Sequence, residues 1–356
     1  MKVLVHIGHP AHVHFFKNLI WKLEENGHQI EISTMEKDIT TRLLNSYNFK
    51  YFTIGQNVNG LINKSLNLIR LNSKLYLFSR KFRPDIFVSM CSPYAAQVSF
   101  LLRRPHIGFG DTEHSRLIYK LSLPFTDAFC TPSCFNGDYG IKQIRYKGYH
   151  ELAYLHPNYY KPDPTVLQEH GLEEGDKFTI VRFVSWKASH DSIVSGLTFE
   201  NKKKAVKEFE KYGKVLITSE SPLPSEFEKY RISVPPEKIH DLMYYATLLY
   251  GESATMASEC AVLGTHAIFC DFAGRGYTDE QEDRYDLVYN FKLDEKSQSS
   301  SIEKAVSLLE NDNLKGEGEQ KREKLLKEKI DVTKFMTDFV EGYPDTFHKY
   351  RKADEP

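Results

Sequence analysis

Two long runs of alternation constrain this chain more than anything else in it. Short apolar, β-branched stretches, KVLVHI, HQIEIST, KYFTI, PDIFVS, PHIGF and DAFCTP, are separated by segments whose apolar residues recur every three or four positions. A second series repeats the rhythm with FTIVRFVSW, KVLITS, ATLLYG, HAIFCDF and DLVYNF. Strands that alternate with helices predict parallel sheets covered on both faces, because each parallel crossover needs a helix lying over the sheet. At 356 residues the chain exceeds one ordinary core, so the two series predict two α/β domains. The boundaries fall at 1–160 and 175–330, with the Pro-, Gly- and Tyr-rich stretch YHELAYLHPNYYKPDPTVLQEHGLEEGDK as the connection. Residues 331–356 form a C-terminal helix, either a solvated amphipathic element or one that crosses back to brace the first domain. Facing strand ends of two Rossmann-like domains would form one interdomain cleft.

Composition narrows the function classes. The formal net charge is -1, from 47 basic and 48 acidic residues, so no global field draws the chain to nucleic acid or lipid. Any contact with a polyanion has to be local. Five cysteines, Cys91, Cys130, Cys134, Cys260 and Cys270, lack paired spacing and argue against a disulfide framework or a zinc site. No run of about eighteen apolar residues appears. The expectation is a cytoplasmic protein, with peripheral association with a membrane surface left open by the aromatic and basic stretches KLYLFSRKF and RLIYKLSLPF.

The segment ATLLYGESATMASECAVLGTHAIFCDF joins strand, tight turn, helix and strand. Ser253 suits an N-cap, and the small residues Ala254 and Thr255 let another group approach the first turn. A helix start offers N–H donors and partial positive charge to a diphosphate. Glu252 precedes that cap, and Glu259 lies one turn after Thr255, where a carboxylate could accept from ribose hydroxyls. A plain capped helix with a local salt bridge is the alternative.

The run SATMASECAVLG resembles the donor-nucleotide segment of the GT-B superfamily, as found in hydrolysing UDP-N-acetylglucosamine 2-epimerases and MurG-type glycosyltransferases. The whole chain also resembles an uncharacterised prokaryotic family of about this length, through IGHPAHVHFFKNL and GDTEHSRLIYKLSLPFTDAFCTP. The resemblance implies an α/β, GT-B-like fold with two Rossmann-like domains: an N-terminal acceptor domain and a C-terminal nucleotide-sugar domain. It implies that Ser253 to Thr255 contact the diphosphate and Glu259 the ribose. In AGRGYTDEQEDRYDLV, Glu280 and Gln281 are similar to the acid and glutamine pair that reads donor-sugar hydroxyls; Arg275 could instead clamp phosphate.

After the first strand comes a turn with Gly8, His9 and His12, at the sheet edge where open α/β folds bind ligands. In the resembling transferases this loop touches donor phosphates or supplies a base, so His12 is the expected base, with His9 beside it. No thiolate or carboxylate accompanies these imidazoles at ligand spacing, which argues against a metal site. A second polar cluster holds Asp111 and Glu113, placed for acid–base work or acceptor recognition, with helix capping as the alternative. Arg182, Ser185, Lys187 and His190 end the first strand of the second domain and could balance a leaving diphosphate.

These readings converge on a metal-independent, nucleotide-sugar-dependent glycosyltransferase of cell-envelope or surface polysaccharide biosynthesis. The nucleotide sugar, UDP-linked, is substrate and no cofactor is expected; the acceptor is a carbohydrate or lipid-linked hydroxyl. A hydrolysing 2-epimerase is the runner-up. It is weakened because Cys91 stands where the resembling epimerases need an aspartate, and SWKASHD replaces their His-Arg-Arg-Glu segment. A non-catalytic nucleotide-sugar-binding protein is the third reading.

Overall fold

The computed structural model describes residues 1–56, 61–183, 196–219 and 222–354. The chain divides into two compact units, Met1–Tyr154 with Lys329–Pro356, and Leu155–Glu328.

The first unit is built on β1 (Lys2–Ile7), β2 (Gln29–Met35), β3 (Tyr51–Gly55), β4 (Ile86–Ser89), β5 (His106–Phe109), β6 (Ala128–Pro132) and β7 (Gln143–Tyr146). They form a 7-stranded sheet in the order β3-β2-β1-β4-β5-β6-β7, with parallel pairing throughout. Val3, Leu4, Val5 and Ile7 are all buried, as a central parallel strand covered on both faces requires. The covering helices are α1 (Pro10–Glu25), α2 (Asp38–Ser46), α3 (Leu61–Phe82), α4 (Pro93–Leu101) and α5 (Arg116–Ser122), with the single turn α6 (Leu152–Leu155) at the junction. Strand β7 was not visible in the alternation, because its QIRY is a short edge strand with only every second residue buried.

The second unit carries β8 (Phe178–Arg182), β9 (Lys214–Thr218), β10 (Leu248–Gly251), β11 (His266–Cys270) and β12 (Val288–Phe291), in a 5-stranded parallel sheet of order β12-β11-β10-β8-β9. Its helices are α7 (Thr165–Gln168), α8 (Phe199–Phe209), α9 (Ile239–Tyr245), α10 (Ala254–Leu263), α11 (Gly276–Asp283), α12 (Glu295–Leu309) and α13 (Leu314–Glu328). The other helices are α14 (Val332–Glu341) and α15 (Asp345–Asp354), both in the first unit. The buried face of α14, with Phe335, Met336, Phe339 and Val340, packs on α1, and the Thr333 hydroxyl donates to the Ala153 carbonyl at 2.6 Å.

Both sheets have a strand-order reversal, between β1 and β4 in one and between β8 and β10 in the other. Such a reversal opens a crevice at the carboxyl ends of the two strands. The Gly8–His12 turn follows β1, and the Ser253 turn follows β10.

Candidate functional site

In the second unit, Gly251 ends β10 in a conformation where a Cβ would collide with the Arg182 carbonyl oxygen. Glycine lets the chain lie against β8, with the Glu252 N–H donating to that same carbonyl at 2.9 Å. Ser253 then caps α10, its hydroxyl accepting from the Met256 N–H at 3.4 Å. The rest of α10 is buried from Ala257 to Leu263, held among α9, α11 and α13. Its first turn stays accessible: Thr255 is exposed, and Ser253 and Ala254 are half-buried. The N–H groups of the first turn of a helix have no intrahelical acceptor, so this turn can hold an anion.

The carboxylates around it are engaged. Glu252 accepts from the Leu197 N–H at 2.5 Å and lies 3.9 Å from the Lys202 ammonium. Burial lowers the Lys202 pKa and the Glu252 charge opposes that shift. Its carboxylate therefore holds the start of the α8 segment, which corrects its assignment as a ligand contact. A naked negative charge there would oppose an incoming diphosphate, and Lys202 offsets it. Glu259 is buried and sits 2.9 Å from His240 Nε2. The sequence carried no sign of that partner: His240 lies on α9, in the unremarkable IHDLMYY.

The segment after β11 folds into the helix α11. Gln281 is fully buried and donates from Nε2 to Ser258 Oγ at 2.8 Å, so it faces α10 and is not presented to a sugar. Glu280 is half-buried beside Arg284 at 3.8 Å. Arg275 donates to the Ala273 carbonyl at 2.7 Å and pairs with Asp271 at 3.2 Å. Phe272 stands 59% exposed just past β11, the strand that pairs with β10, and an exposed aromatic can stack on a flat ligand. Arg182 ends β8 as expected. Ser185, Lys187 and His190 lie outside the described residues.

In the first unit, His9 caps α1, with Nδ1 accepting from the Ala11 N–H at 3.3 Å. His12 Nδ1 accepts from the Gly8 N–H at 3.2 Å. A backbone N–H only donates, so the neutral His12 ring carries its proton on Nε2. Burial, with His9 and His6 nearby, pushes the His12 pKa down to about 3. His12 is thus placed as a hydrogen-bond donor, and its assignment as base is corrected. Of the α1 turn's own amides, Pro10 has none and the His12 N–H goes to the His9 carbonyl at 3.0 Å.

A different histidine has the geometry of a base. His150 Nδ1 lies 3.0 Å from Asp111 Oδ2, and the Thr112 hydroxyl donates to the other carboxylate oxygen at 2.9 Å. Burial would raise the Asp111 carboxyl, but His150 and Thr112 outweigh it and hold the pKa below the usual range. An ionised Asp111 fixes the proton on His150 Nδ1 and leaves Nε2 with the lone pair. That Nε2 is buried and has no hydrogen-bond partner among the described residues; the ring packs 4.3 Å from Phe15. Glu113, expected beside Asp111, turns to the Asn136 N–H at 3.2 Å. Cys91 is fully buried after β4, and burial pushes its thiol well up, so it packs as an inert side chain.

A model of the DUF354 family, described as a protein of unknown function, matches residues 1–343. The chain belongs to DUF354. This DUF354 chain is 24% identical over 283 residues to an uncharacterized protein of Methanocaldococcus jannaschii, covering 76% of this chain and 82% of that protein. Among solved structures it is similar to a UDP-GlcNAc 2-epimerase from Neisseria meningitidis bound to UDP-GlcNAc, with TM-score 0.66 and 13% identity over 98% of this chain and 100% of the other. It is also similar to a glycosyltransferase of Streptomyces sp. SF2575 complexed with thymidine diphosphate, with TM-score 0.61 and 11% identity over 95% and 100%. This chain therefore shares the GT-B fold. Among the described residues of this DUF354 chain, no helix is long and apolar enough to cross a membrane, and no group of three or more His, Cys, Asp or Glu is placed to hold a metal ion.

Proposed function

We propose that the protein is a nucleotide-sugar-dependent glycosyltransferase. The observation that carries this reading is the open first turn of α10, capped by Ser253 at the strand-order reversal of the second unit. The binding of UDP-GlcNAc and thymidine diphosphate by two proteins of the same fold supports a nucleotide sugar as the ligand. The diphosphate rests on the α10 amides, Glu259 accepts from the ribose, and exposed Phe272 stacks on the base. Arg182, at the end of β8, balances the diphosphate charge.

Each unit by itself carries groups suited to one part of this chemistry. An acceptor hydroxyl attacks the anomeric carbon as the bond from that carbon to the diphosphate breaks. His150 Nε2 takes the hydroxyl proton, and Asp111 stabilises the imidazolium that forms. The buried, unpartnered nitrogen costs about 1–3 kcal/mol, which a hydroxyl donating to it would recover. The bonding electrons leave with the diphosphate, whose added charge falls on the helix N-terminus, and no metal ion is needed for this balance. His9 and His12 donate from Nε2 to sugar or phosphate oxygens. The acceptor is a carbohydrate or lipid-linked hydroxyl of envelope or surface polysaccharide synthesis, in the cytoplasm. Epimerisation is disfavoured by the inert Cys91 thiol.

A thermal-shift screen with UDP, GDP, CDP, dTDP and their sugars tests the donor site, because a ligand of the folded state raises Tm by mass action. A stabilising nucleotide is expected, with its effect reduced in Glu259→Ala. No stabilisation by any of them removes the reading. Release of nucleotide diphosphate only with acceptor present marks transfer; release without acceptor, with a glycal or inverted C2, marks epimerisation.

A further inference from the structure

The exposed apolar side chains of this protein are concentrated. Leu66, Ile69 and Leu77 stand out from α3, while Phe100 and Leu101 end α4. Leu117, Ile118 and Leu121 stand out from α5, where Leu117 is 70% exposed. The remaining exposed large hydrophobics among the described residues are Met1, Ile39, Ile141 and Phe272, which belong to four separate elements or loops.

The three helices are tied into one surface. Asn72 of α3 donates to Gln97 of α4 at 2.7 Å, and Gln97 donates to the Leu121 carbonyl of α5 at 3.2 Å. Phe100 packs edge-on against Phe125, just beyond α5, at 5.3 Å. On α3 the exposed Leu66, Ile69, Arg70, Lys74, Leu77 and Lys81 recur at helical spacing, so one stripe mixes leucines with cations. Beside that stripe a groove of about 830 Å³ has Phe52 stacked on Phe78 at 4.4 Å, with Lys2, Lys74 and Lys81 at its rim and Glu31 as its carboxylate.

The charge of this region is unlike that of the chain. Residues 39–126 contain twelve Lys and Arg but three Asp and Glu, in a protein of net charge -1. None of the three acids lies on α3, α4 or α5. Asp85 takes the Lys2 N–H at 2.8 Å and sits 3.9 Å from Arg104, Asp111 holds His150, and Glu113 takes the Asn136 N–H. Leucines standing beside lysines and arginines, with no carboxylate among them, form the chemistry of a surface that enters an anionic lipid interface.

We propose that the α3–α5 face docks on an anionic bilayer surface, with the apolar tips in the headgroup region and the cations on lipid phosphates. A two-fold dimer through this face would set cation against cation, which disfavours a second copy of the chain as occupant. The proposal stands apart from the nucleotide site and uses none of its residues.

The full chain is to be sedimented with vesicles of phosphatidylcholine alone and of phosphatidylcholine with phosphatidylglycerol. Binding is expected to the anionic vesicles and not to the neutral ones, with release as salt rises past the physiological range. Arg70→Glu with Lys74→Glu is expected to weaken binding at least about tenfold, and Leu117→Ser with Leu121→Ser to weaken it severalfold. All four positions are exposed, and an unchanged melting temperature confirms that the variants remain folded. Ser253 and Glu259 variants should sediment like the parent, which keeps this outcome separate from the donor-site test. Failure to bind the anionic vesicles overturns the proposal, as does binding indifferent to both double variants. Concentration-dependent dimerisation abolished by the leucine variants, without vesicle binding, gives the face to a second copy and equally overturns it.

Discussion

The two units each start a helix directly after a strand at the reversal of strand order, and they finish that turn differently. On α10 the cap is a serine followed by small residues, so backbone amides face outward. On α1 the cap is His9, a proline follows, and the neighbouring amides are consumed by His9 and by Gly8 pairing with His12. The same position in a Rossmann-like unit thus becomes an amide cradle in one case and an imidazole-edged turn in the other. Only the cradle has the open charge that a diphosphate needs.

The sharpest way to break that comparison concerns the base. His150→Gln is expected to lower the transfer rate by about 10²–10⁴-fold, the usual worth of a general base, with the nucleotide-induced rise in Tm unchanged. Asp111→Asn should also lower it, because an amide cannot stabilise the imidazolium. If His12→Gln proves the more damaging change and removes the acidic limb of the pH–rate profile, the base returns to the turn.

The units should also differ in acid. His6 is held at about 4 by burial, and burial together with nearby imidazole charge holds His12 and His106 at about 3; in the second unit His266 is held at about 3 by burial and Lys321. A histidine whose folded pKa is depressed costs nothing above its unfolded value near 6.5. Below that the unfolded chain takes the proton and the folded chain does not, so stability falls until the folded pKa is reached. Each such group costs about 1.4 kcal/mol per pH unit between roughly pH 6 and pH 4. The first unit, with three of them, should lose protection first as pH drops. Segment-resolved hydrogen exchange, corrected for intrinsic rates, checks the order; simultaneous loss would show that the units unfold together.

A smaller and cleaner contrast comes from charge at the two turns. Thr255→Asp should favour the α10 dipole slightly, raising stability by about 0.3–1 kcal/mol, while repelling the diphosphate and lowering nucleotide affinity at least about tenfold. Ala11→Asp on α1 should leave nucleotide affinity alone. Ligand titration of both variants decides whether the cradle is confined to α10. The smallest effect expected is on folding: Ser253→Ala should cost about 1 kcal/mol through the lost cap, or about 2–4 °C in Tm.

Much of the scaffold was legible because parallel strands buried on both faces write themselves as apolar runs. The α10 turn was legible too, since its cap and small residues are local. The partnerships were not. His150 lay in a stretch read as a connection, yet Tyr149, Leu152 and Ala153 beside it are fully buried in the first unit. A lone imidazole after a short edge strand sends no periodic signal, and only Asp111, 39 positions earlier in the chain, makes it distinctive. Gln281 was expected to meet a sugar only through the resemblance of its segment, whereas Ser258 and the packing of α11 turn that one polar residue inward.

By itself the sequence determined the order of strands and helices, the two α/β series and the capped turn at Ser253, all properties of neighbours along the chain. The tertiary structure alone decided which nitrogen of His12 holds a proton, that Asp111 faces His150, and that Glu259 faces His240. Those choices depend on burial and on partners brought together from distant positions, and no local spacing encodes them.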